Sequence, residues 1–582
     1  MVSIISNDSY QTLVAPTVSE VEALESPIKT ISEISPGLTC FAADSGSCHG
    51  LIDFGSEDSS PLPVVDSDGS SHEFIDSGCD SSPRSTGAEA VKLDEQPTNV
   101  KCVESNHQLI DSEFSELDQH GLLWEEGILG FEPLWSVEPK IEDIKKTVQS
   151  LGPSSTVEVE FLAQGGFNKV YNVTVDGKAF IMRVSLPVDP HFKVLSEVAT
   201  MDWVREVTQL PIPTVMNFQS SRENCIGFEW MFMTKMPGRP FNDVWLSLSF
   251  DAKSSLVRQL ASSSAALFRR QFRGIGNIYG GPSSTLDSAS SSKLPHIRNP
   301  IKATAIARMD DLGLEGSYDL PSNDEFQNSW LTLDRIVSMQ FFWHLRLRQR
   351  VSRGPFHSGK DWIAARLAII GNEYQSILDR LQVGNLTEDE QDGKDDAEQT
   401  LRIVELLIDL LPRFFPPDHD HEEPEPSAVF HDDINNNNLL VNDDGELTGV
   451  LDWEFVSAVP LWKACDYPFF LQGPSVPSKP DPDRYPCKRD GTLSKLYHDH
   501  LWGYEATCLR STFIDEMKKL DARWVEVFDK SQHLRDLDTA VQNCDNSLWW
   551  RFINAWIQDI ISEKDKIQSL QDRHHQNQFR PL

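Results

Sequence analysis

Three residues give this chain its chemistry: Asp433, Asn438 and Asp452. They fall in the stretch VFHDDINNNNLLVNDDGELTGVLDWE, residues 429–454. Two apolar runs, 438–441 and 447–451, are separated by Asp-Asp-Gly, which predicts a hairpin with Gly445 in its turn. Asp433 then stands just before the first strand, Asn438 at its start, and Asp452 just past the second. Two carboxylates and an amide are gathered at one end of a small sheet. Phosphoryl transfer needs such a set: one Asp to take or orient an acceptor hydroxyl, and an Asn with a second Asp to hold magnesium on the phosphates.

The order His-x-Asp-x-x-x-x-Asn from His431, followed by a strand-led Asp, is that of a kinase catalytic loop. Asn435, Asn436 and Asn437 have a plainer reading as turn formers whose side chains satisfy nearby backbone groups.

The elements that must position this set lie upstream. From residue 156 the apolar period is two, through TVEVEFLAQGGFNKVYNVTV, an Asp176-Gly177 turn and KAFIMRVSL, which predicts three antiparallel strands. Gly165 and Gly166, in the first turn beside Asn168, would let backbone N–H groups approach phosphate oxygens where a Cβ would clash. Arg183 sits among apolar neighbours in the third strand. A buried cation needs a partner, and Glu197, on a helix predicted over 193–206, is the natural one. An apolar strand over 228–236 leads into Pro237-Gly238, a break at which a first lobe would end. Helices are predicted over 251–273, 360–381 and 399–415, and through 492–571, with the acidic run EDEQDGKDDAE as an exposed loop.

Composition sets outer bounds. At 582 residues, 39% hydrophobic and with 15 Trp, the chain can bury a sizeable core. Residues 1–120 hold 22 Asp/Glu against 4 Lys/Arg, a net of −18 out of −37 for the whole chain. That segment is rich in Ser, Asp, Gly and Pro and has no sustained period, so disorder is expected. Such acidity argues against nucleic acid or an anionic membrane as the main partner. The nine Cys are scattered without a CxxC pair, so neither a disulfide framework nor a zinc site is indicated. The absence of a basic residue before Lys29 argues against a secretory or transit leader, and no apolar run approaches a membrane span. A soluble, cytoplasmic protein is expected.

From about residue 157 to residue 470 the chain resembles the aminoglycoside phosphotransferase family, and within it the fungal branch. The stretches that carry the likeness include QGGFNKVYNV, AFIMRVSL, FMTKMPGRPF, FHDDINNNNLLV and LTGVLDWEFVSAVPLWKACDYP. The resemblance implies an α+β, protein-kinase-like two-lobed fold: a small antiparallel β N-lobe over 121–236, and a larger, mainly helical C-lobe over 237–582 with an insertion at about 281–358. It implies Asp433 as catalytic base, with His431 positioning the loop. Asn438 and Asp452 would be the magnesium ligands, and Arg183, steadied by Glu197, the phosphate-gripping cation. Thr234, Lys235 and Met236 would form the adenine-binding hinge, and Asp466 would support the catalytic loop. ATP and Mg2+ would be the cofactors, and a small-molecule hydroxyl the acceptor. Two departures stand out: Asp432 adds a carboxylate beside Asp433, and Arg183 replaces a lysine. Adjacent residues on an extended segment face opposite ways, so Asp432 is expected to perturb Asp433 little. The alternative is a pseudokinase that binds nucleotide or partners without turnover.

Overall fold

The computed structural model describes residues 119–127, 130–154, 156–280, 301–302, 331–381, 386–416, 423–487 and 491–575. The chain divides into two units, of which one, Ile52–Glu116, lies wholly outside these residues. The expected disorder over 1–120 concerns residues that, but for the last two, lie outside them as well. All the described residues belong to the other unit.

The apolar stretch at 122–135 forms a hairpin, β1 (Leu122–Gly127) with β2 (Gly130–Trp135). The helix after it runs over Ile141–Ser150. Its Ile144 and Val148, one turn apart, are buried against the sheet, whereas Ile141 is exposed. Alternation then builds five strands: β3 (Val157–Gln164), β4 (Asn168–Val175), β5 (Lys178–Ser185), β6 (Val215–Gln219) and β7 (Glu229–Thr234). They pair antiparallel in the order β3-β4-β5-β7-β6. The tight β4–β5 turn takes positive φ at both Asp176 (47°) and Gly177 (81°), which Asp-Gly tolerates well.

Between β5 and β6 the helix Phe192–Val207 is apolar on more than one side, and both sides are used. Val194 and Val198 pack on Met231 and Met233 of the sheet, while Met201, Trp203 and Val204 enter the core of the helical part. This helix is therefore a wall shared by the sheet and the helical part.

After β8 (Arg239–Pro240) the chain is mainly helical. Long helices run over Phe250–Phe268, Gly359–Leu381, Glu388–Phe414 and Lys495–Leu520, and shorter ones over Ala522–Lys530, Gln532–Gln542 and Ser547–Ile561. Three small sheets are set among them, from β9 (Phe272–Arg273), β10 (Asn277–Tyr279), β11 (Ile301–Lys302), β12 (Thr332–Asp334), β13 (Pro426–Phe430), β14 (Leu439–Val441), β15 (Leu447–Val450) and β16 (Ser457–Pro460). Their orders are β10-β12-β11, β16-β13-β9 and β15-β14-β8. This is an α+β arrangement, a small antiparallel sheet with its helix followed by a larger helical part. Among the described residues no helix is long and apolar enough to cross a membrane.

Two expectations are corrected. The acidic run is not a loop but the first turns of the helix Glu388–Phe414. Thr387 caps it, accepting from Glu390 N at 3.3 Å, while the Glu390 carboxylate accepts from Thr387 N at 2.8 Å. Acidic residues in a first helical turn also complement the helix dipole. The helix predicted over 251–273 ends at Phe268, because Phe272 and Arg273 pair with β13.

Candidate active site

Strand β13, buried between β16 and β9, delivers the chain to residues 431–438. His431 is almost fully buried. Its Nδ1 accepts from Asp433 N at 3.3 Å, its Nε2 lies 3.2 Å from Leu451 O, and Trp453 meets its ring edge-on. A carbonyl only accepts, so Nε2 carries the proton and the ring is neutral. Burial pulls its pKa down to about 4. With both nitrogens engaged, His431 ties the loop to the end of β15 and has no lone pair for a substrate proton.

Asp433 is held from two sides. Asn435 Nδ2 donates to its Oδ1 at 2.7 Å, and Asn438 Nδ2 to its Oδ2 at 2.9 Å. Charge-assisted bonds of this kind fix the plane of a carboxylate. Asn435 Oδ1 also accepts from the N–H groups of Asn437 and Asn438, so Asn435 is a turn former and a holder of Asp433 at once. Asp432 is raised by burial, and the charges it feels are Lys463, Asp538 and Arg366.

The hairpin of β14 and β15 closes at its base, where Leu451 N donates to Asn438 O at 2.8 Å. That bond brings residue 452 beside residue 438. Asp452 adopts φ +60°, and burial, then Glu454, then Asp433 and Glu197 push its carboxyl well above the ordinary range, with Arg183 opposing. Asn438 has given its amide protons to Asp433, which leaves its Oδ1 to face a cation. Magnesium fits this donor set: the ligands are oxygens, and a divalent charge relieves the crowding around Asp452. Among the described residues no group of three or more His, Cys, Asp or Glu side chains could hold a metal ion. Magnesium is usually held by one or two side chains together with phosphates.

Arg183, on β5, is buried and hydrogen-bonded to Glu197, the partner expected for it. Its Nη1 lies 3.8 Å from Asp452 Oδ1 and its Nη2 3.9 Å from Glu454 Oε2. Burial works against the guanidinium, but Glu197, Glu454 and Asp452 together hold its pKa above the usual value. Sequence reasoning missed two members of this cluster, Lys193 and Glu454, whose Nζ and Oε2 are 2.7 Å apart and fully buried. A signal for Lys193 existed: a cation in the first turn of a helix opposes the dipole and needs a local anion to hold it there.

The other expected residues are more committed to the fold than the sequence indicates. Gly165 N donates to Asn168 O at 2.8 Å, so that N–H closes the hairpin turn and is not offered to a phosphate. Gly165 and Gly166 do not take positive φ, and a Cβ at Gly165 would meet only Asn168 O, at 4.0 Å. Asn168 is buried, donating to Glu454 Oε2 and accepting from Ser185 and Lys193. Thr234 exchanges hydrogen bonds with Thr214, and Lys235 Nζ donates to Asn172 Oδ1 at 3.1 Å. Met236 packs beside Gly449 of β15, which brings this segment against the hairpin that carries Asp452. Asp466 feels Arg535 and Lys463, while the bond tying its segment to the 431–438 loop is Phe470 N to Ile434 O, 3.1 Å.

Asp433 and Asp452 line a cavity of about 100 Å³, together with Trp362, Arg366, Lys463 and Asp538. Asp538 pairs with Arg366 and, at 2.7 Å, with Lys463, which keep its pKa near 2 against the effect of burial. The Arg366 guanidinium lies over the Trp362 ring. Arg366 and Lys463 are the two cations that Asp538 pairs with and that Asp432 feels.

A small sheet with a buried Arg–Glu pair is thus set beside a loop of Asp and Asn. Residues 345–462, about a fifth of the chain, match the model of the phosphotransferase enzyme family, and Asp433, Asn438 and Asp452 lie inside that match. Among curated relatives, a subtelomeric hrmA-associated cluster protein of Aspergillus fumigatus is 34% identical over 125 residues, 21% of this chain and 25% of that protein. The altered inheritance of mitochondria protein 9, mitochondrial, of Saccharomyces cerevisiae is 20% identical over 375 residues, 60% of this chain and 55% of that one. The chain thus spans a quarter to about half the length of these relatives. Among solved structures, aminoglycoside phosphotransferase APH(4)-Ia is 12% identical, with 73% of this chain and 93% of that one covered, at a TM-score of 0.33. A thermostable aminoglycoside phosphotransferase APH(4)-Ia, in ternary complex with ADP and hygromycin B, is 14% identical, with 69% and 98% covered, at 0.30. Scores this low add no weight to the fold, which rests on the strand order and the helical part.

Proposed function

We propose that the protein is a magnesium-dependent phosphotransferase that moves the γ-phosphoryl group of ATP to a hydroxyl of a small molecule. The observation that carries this reading is the joining of Asp433 to Asn438 at 2.9 Å, with Asp452 lining the same cavity. A protein that only binds partners has no physical need of a base, an amide and a second carboxylate in that arrangement.

In this reading the acceptor hydroxyl lies in the cavity beside Asp433. Its oxygen forms a bond to the γ-phosphorus as the bond to the bridging oxygen of ADP breaks, and its proton passes to Asp433. Asn435 and Asn438 hold the carboxylate in plane, and His431 holds the loop. Arg183 faces the phosphates with Glu197 behind it. Asn438 Oδ1 and Asp452 would hold magnesium, which would neutralise charge at the phosphates. The pseudokinase reading draws on a different observation, that the Gly165 N–H and the Asn168 side chain are spent on internal bonds.

Calorimetric titration of ATP with and without magnesium, followed by a slow-hydrolysis assay and a screen of hydroxylated metabolites, tests the proposal. Magnesium-dependent binding with turnover is the expected outcome. Binding without any turnover would favour the pseudokinase, and no nucleotide binding at all would sink both.

A further inference from the structure

Glu454 stands two residues past Asp452, yet its carboxylate belongs to the opposite lobe. Asn168 Nδ2, from the start of β4, donates to Glu454 Oε2 at 2.9 Å across 286 residues of sequence. Lys193 Nζ bridges the same pair, 2.7 Å from Glu454 Oε2 and 2.9 Å from Asn168 Oδ1. An apolar contact runs beside the polar one. Phe167, in the Gly-rich turn and 2% exposed, meets Phe455 edge-to-face at 5.3 Å and Phe342 at 5.5 Å. Asp452 and Phe455 take φ of 60° and 65°, and these two left-handed residues flank Trp453 and Glu454. The chain therefore turns sharply on either side of Glu454, a backbone arrangement that persists only where surrounding contacts hold it.

We propose that Glu454, with Lys193 as its counter-charge, latches the Gly-rich turn to the metal loop, and that the two act as positioning residues for the nucleotide phosphates. The mechanical part stands on the geometry alone. The phosphate part rests on the proposed function. Glu454 Oε2 is 3.9 Å from Arg183 Nη2, so a bare carboxylate there would repel a phosphate approaching that guanidinium. Lys193, buried and opposed by its own helix dipole, cancels that repulsion. The latch joins lobes without spending the charge of Arg183.

Two measurements on the full chain separate the parts. Hydrogen exchange of residues 164–170 reads the latch without any nucleotide. Glu454→Ala is expected to speed it by about tenfold or more, the scale of one lost charged hydrogen bond, and Glu454→Gln, which keeps the shape, to speed it less. If the alanine variant does not fold, the glutamine variant gives the same reading. Unchanged exchange would overturn the latch. Calorimetry with magnesium-ATP reads the compensation. Lys193→Met is expected to weaken binding about fivefold or more, the effect of one unit charge at this range even when well solvated. Adding Glu454→Gln should recover most of that loss, a rescue that lost packing alone would not produce. Wild-type affinity in Lys193→Met, or no recovery in the double variant, would overturn the compensation. If wild-type protein binds no magnesium-ATP, the proposed function fails and takes the phosphate part with it, while the exchange result still decides the latch.

Discussion

Asn438 Nδ2 and Asp433 Oδ2 stand 2.9 Å apart, so the residue read as a metal ligand and the residue read as the base form one hydrogen-bonded unit. Their effects on catalysis should therefore be coupled. Asp433→Ala is expected to spare nucleotide binding and lower turnover by roughly two or more orders of magnitude, the usual scale of a lost general base. Asp452→Ala should abolish magnesium-dependent binding. Asn438→Ala should lower both turnover and magnesium affinity, and should add less than its full effect to Asp433→Ala. Calorimetry and turnover on the same preparations check this, and equal loss of nucleotide binding in the Asp433 and Asp452 variants would undo the division of roles.

Arg183 and Glu197 are a buried pair, and removing one partner leaves the other charged in a dry site. Arg183→Met is expected to cost about 3–5 kcal/mol of stability. Arg183→Lys keeps the charge but replaces a planar fork with a point, so it should fold and bind nucleotide more weakly. Denaturant unfolding separates the stability loss from the affinity loss.

His431 is neutral in the folded protein, with its pKa lowered to about 4 from 6.5. The unfolded chain then binds more protons between those values, so the contribution of His431 to stability is complete above about pH 6.5 and is lost as pH falls through about 4. The span corresponds to about 3 kcal/mol. Unfolding free energy measured from pH 7 to 4 should fall less steeply in His431→Asn than in wild type; parallel slopes would mean that the ring is not buried neutral.

Glu229 works in the opposite direction. Its Oε1 accepts from His191 N at 2.8 Å, and burial raises its pKa from 4.5 to about 8. The folded state holds the proton that the unfolded state releases, so this contribution is complete below about pH 4.5 and is lost as pH rises through about 8. Glu229→Gln keeps the acceptor and does not titrate. Relative to wild type it should gain about 1.4 kcal/mol of stability per pH unit within that window. A difference that does not change with pH would contradict the buried, protonated state.

The 438–451 hairpin, the three-strand run and the Arg183–Glu197 pair were legible because each rests on local period, turn chemistry or the cost of burying a charge. The Asp176-Gly177 turn is of that kind. What escaped was non-local. Glu454 reads as an ordinary residue after a Trp until the fold brings Lys193 and Asn168 to it, and Arg366, Lys463 and Asp538 come from three separate segments. The helical state of the acidic run was readable from Thr387 and Glu390, a Thr-x-x-Glu capping box, but the density of like charge hid it.

Gly238, where the two lobes meet in the sequence, gives the sharpest test of how the hinge segment is held. Its φ is +108°, and a Cβ there would lie 2.3 Å from Thr448 Oγ1 and 2.8 Å from Val441 O. Thr448 cannot simply swing away, since its hydroxyl donates to Pro237 O at 2.7 Å, and Val441 O is backbone of β14. Gly238→Ala is therefore expected to destabilise by roughly 2–4 kcal/mol, the range for strained backbone combined with a forced clash. Because residues 234–236 must shift with it, nucleotide affinity should fall as well. Gly152→Ala is the control: with no atom within 4 Å of its Cβ and an ordinary φ, it should change stability by less than about 0.5 kcal/mol. A Gly238→Ala protein as stable as that control would mean that the hinge and the β14–β15 hairpin are not in contact.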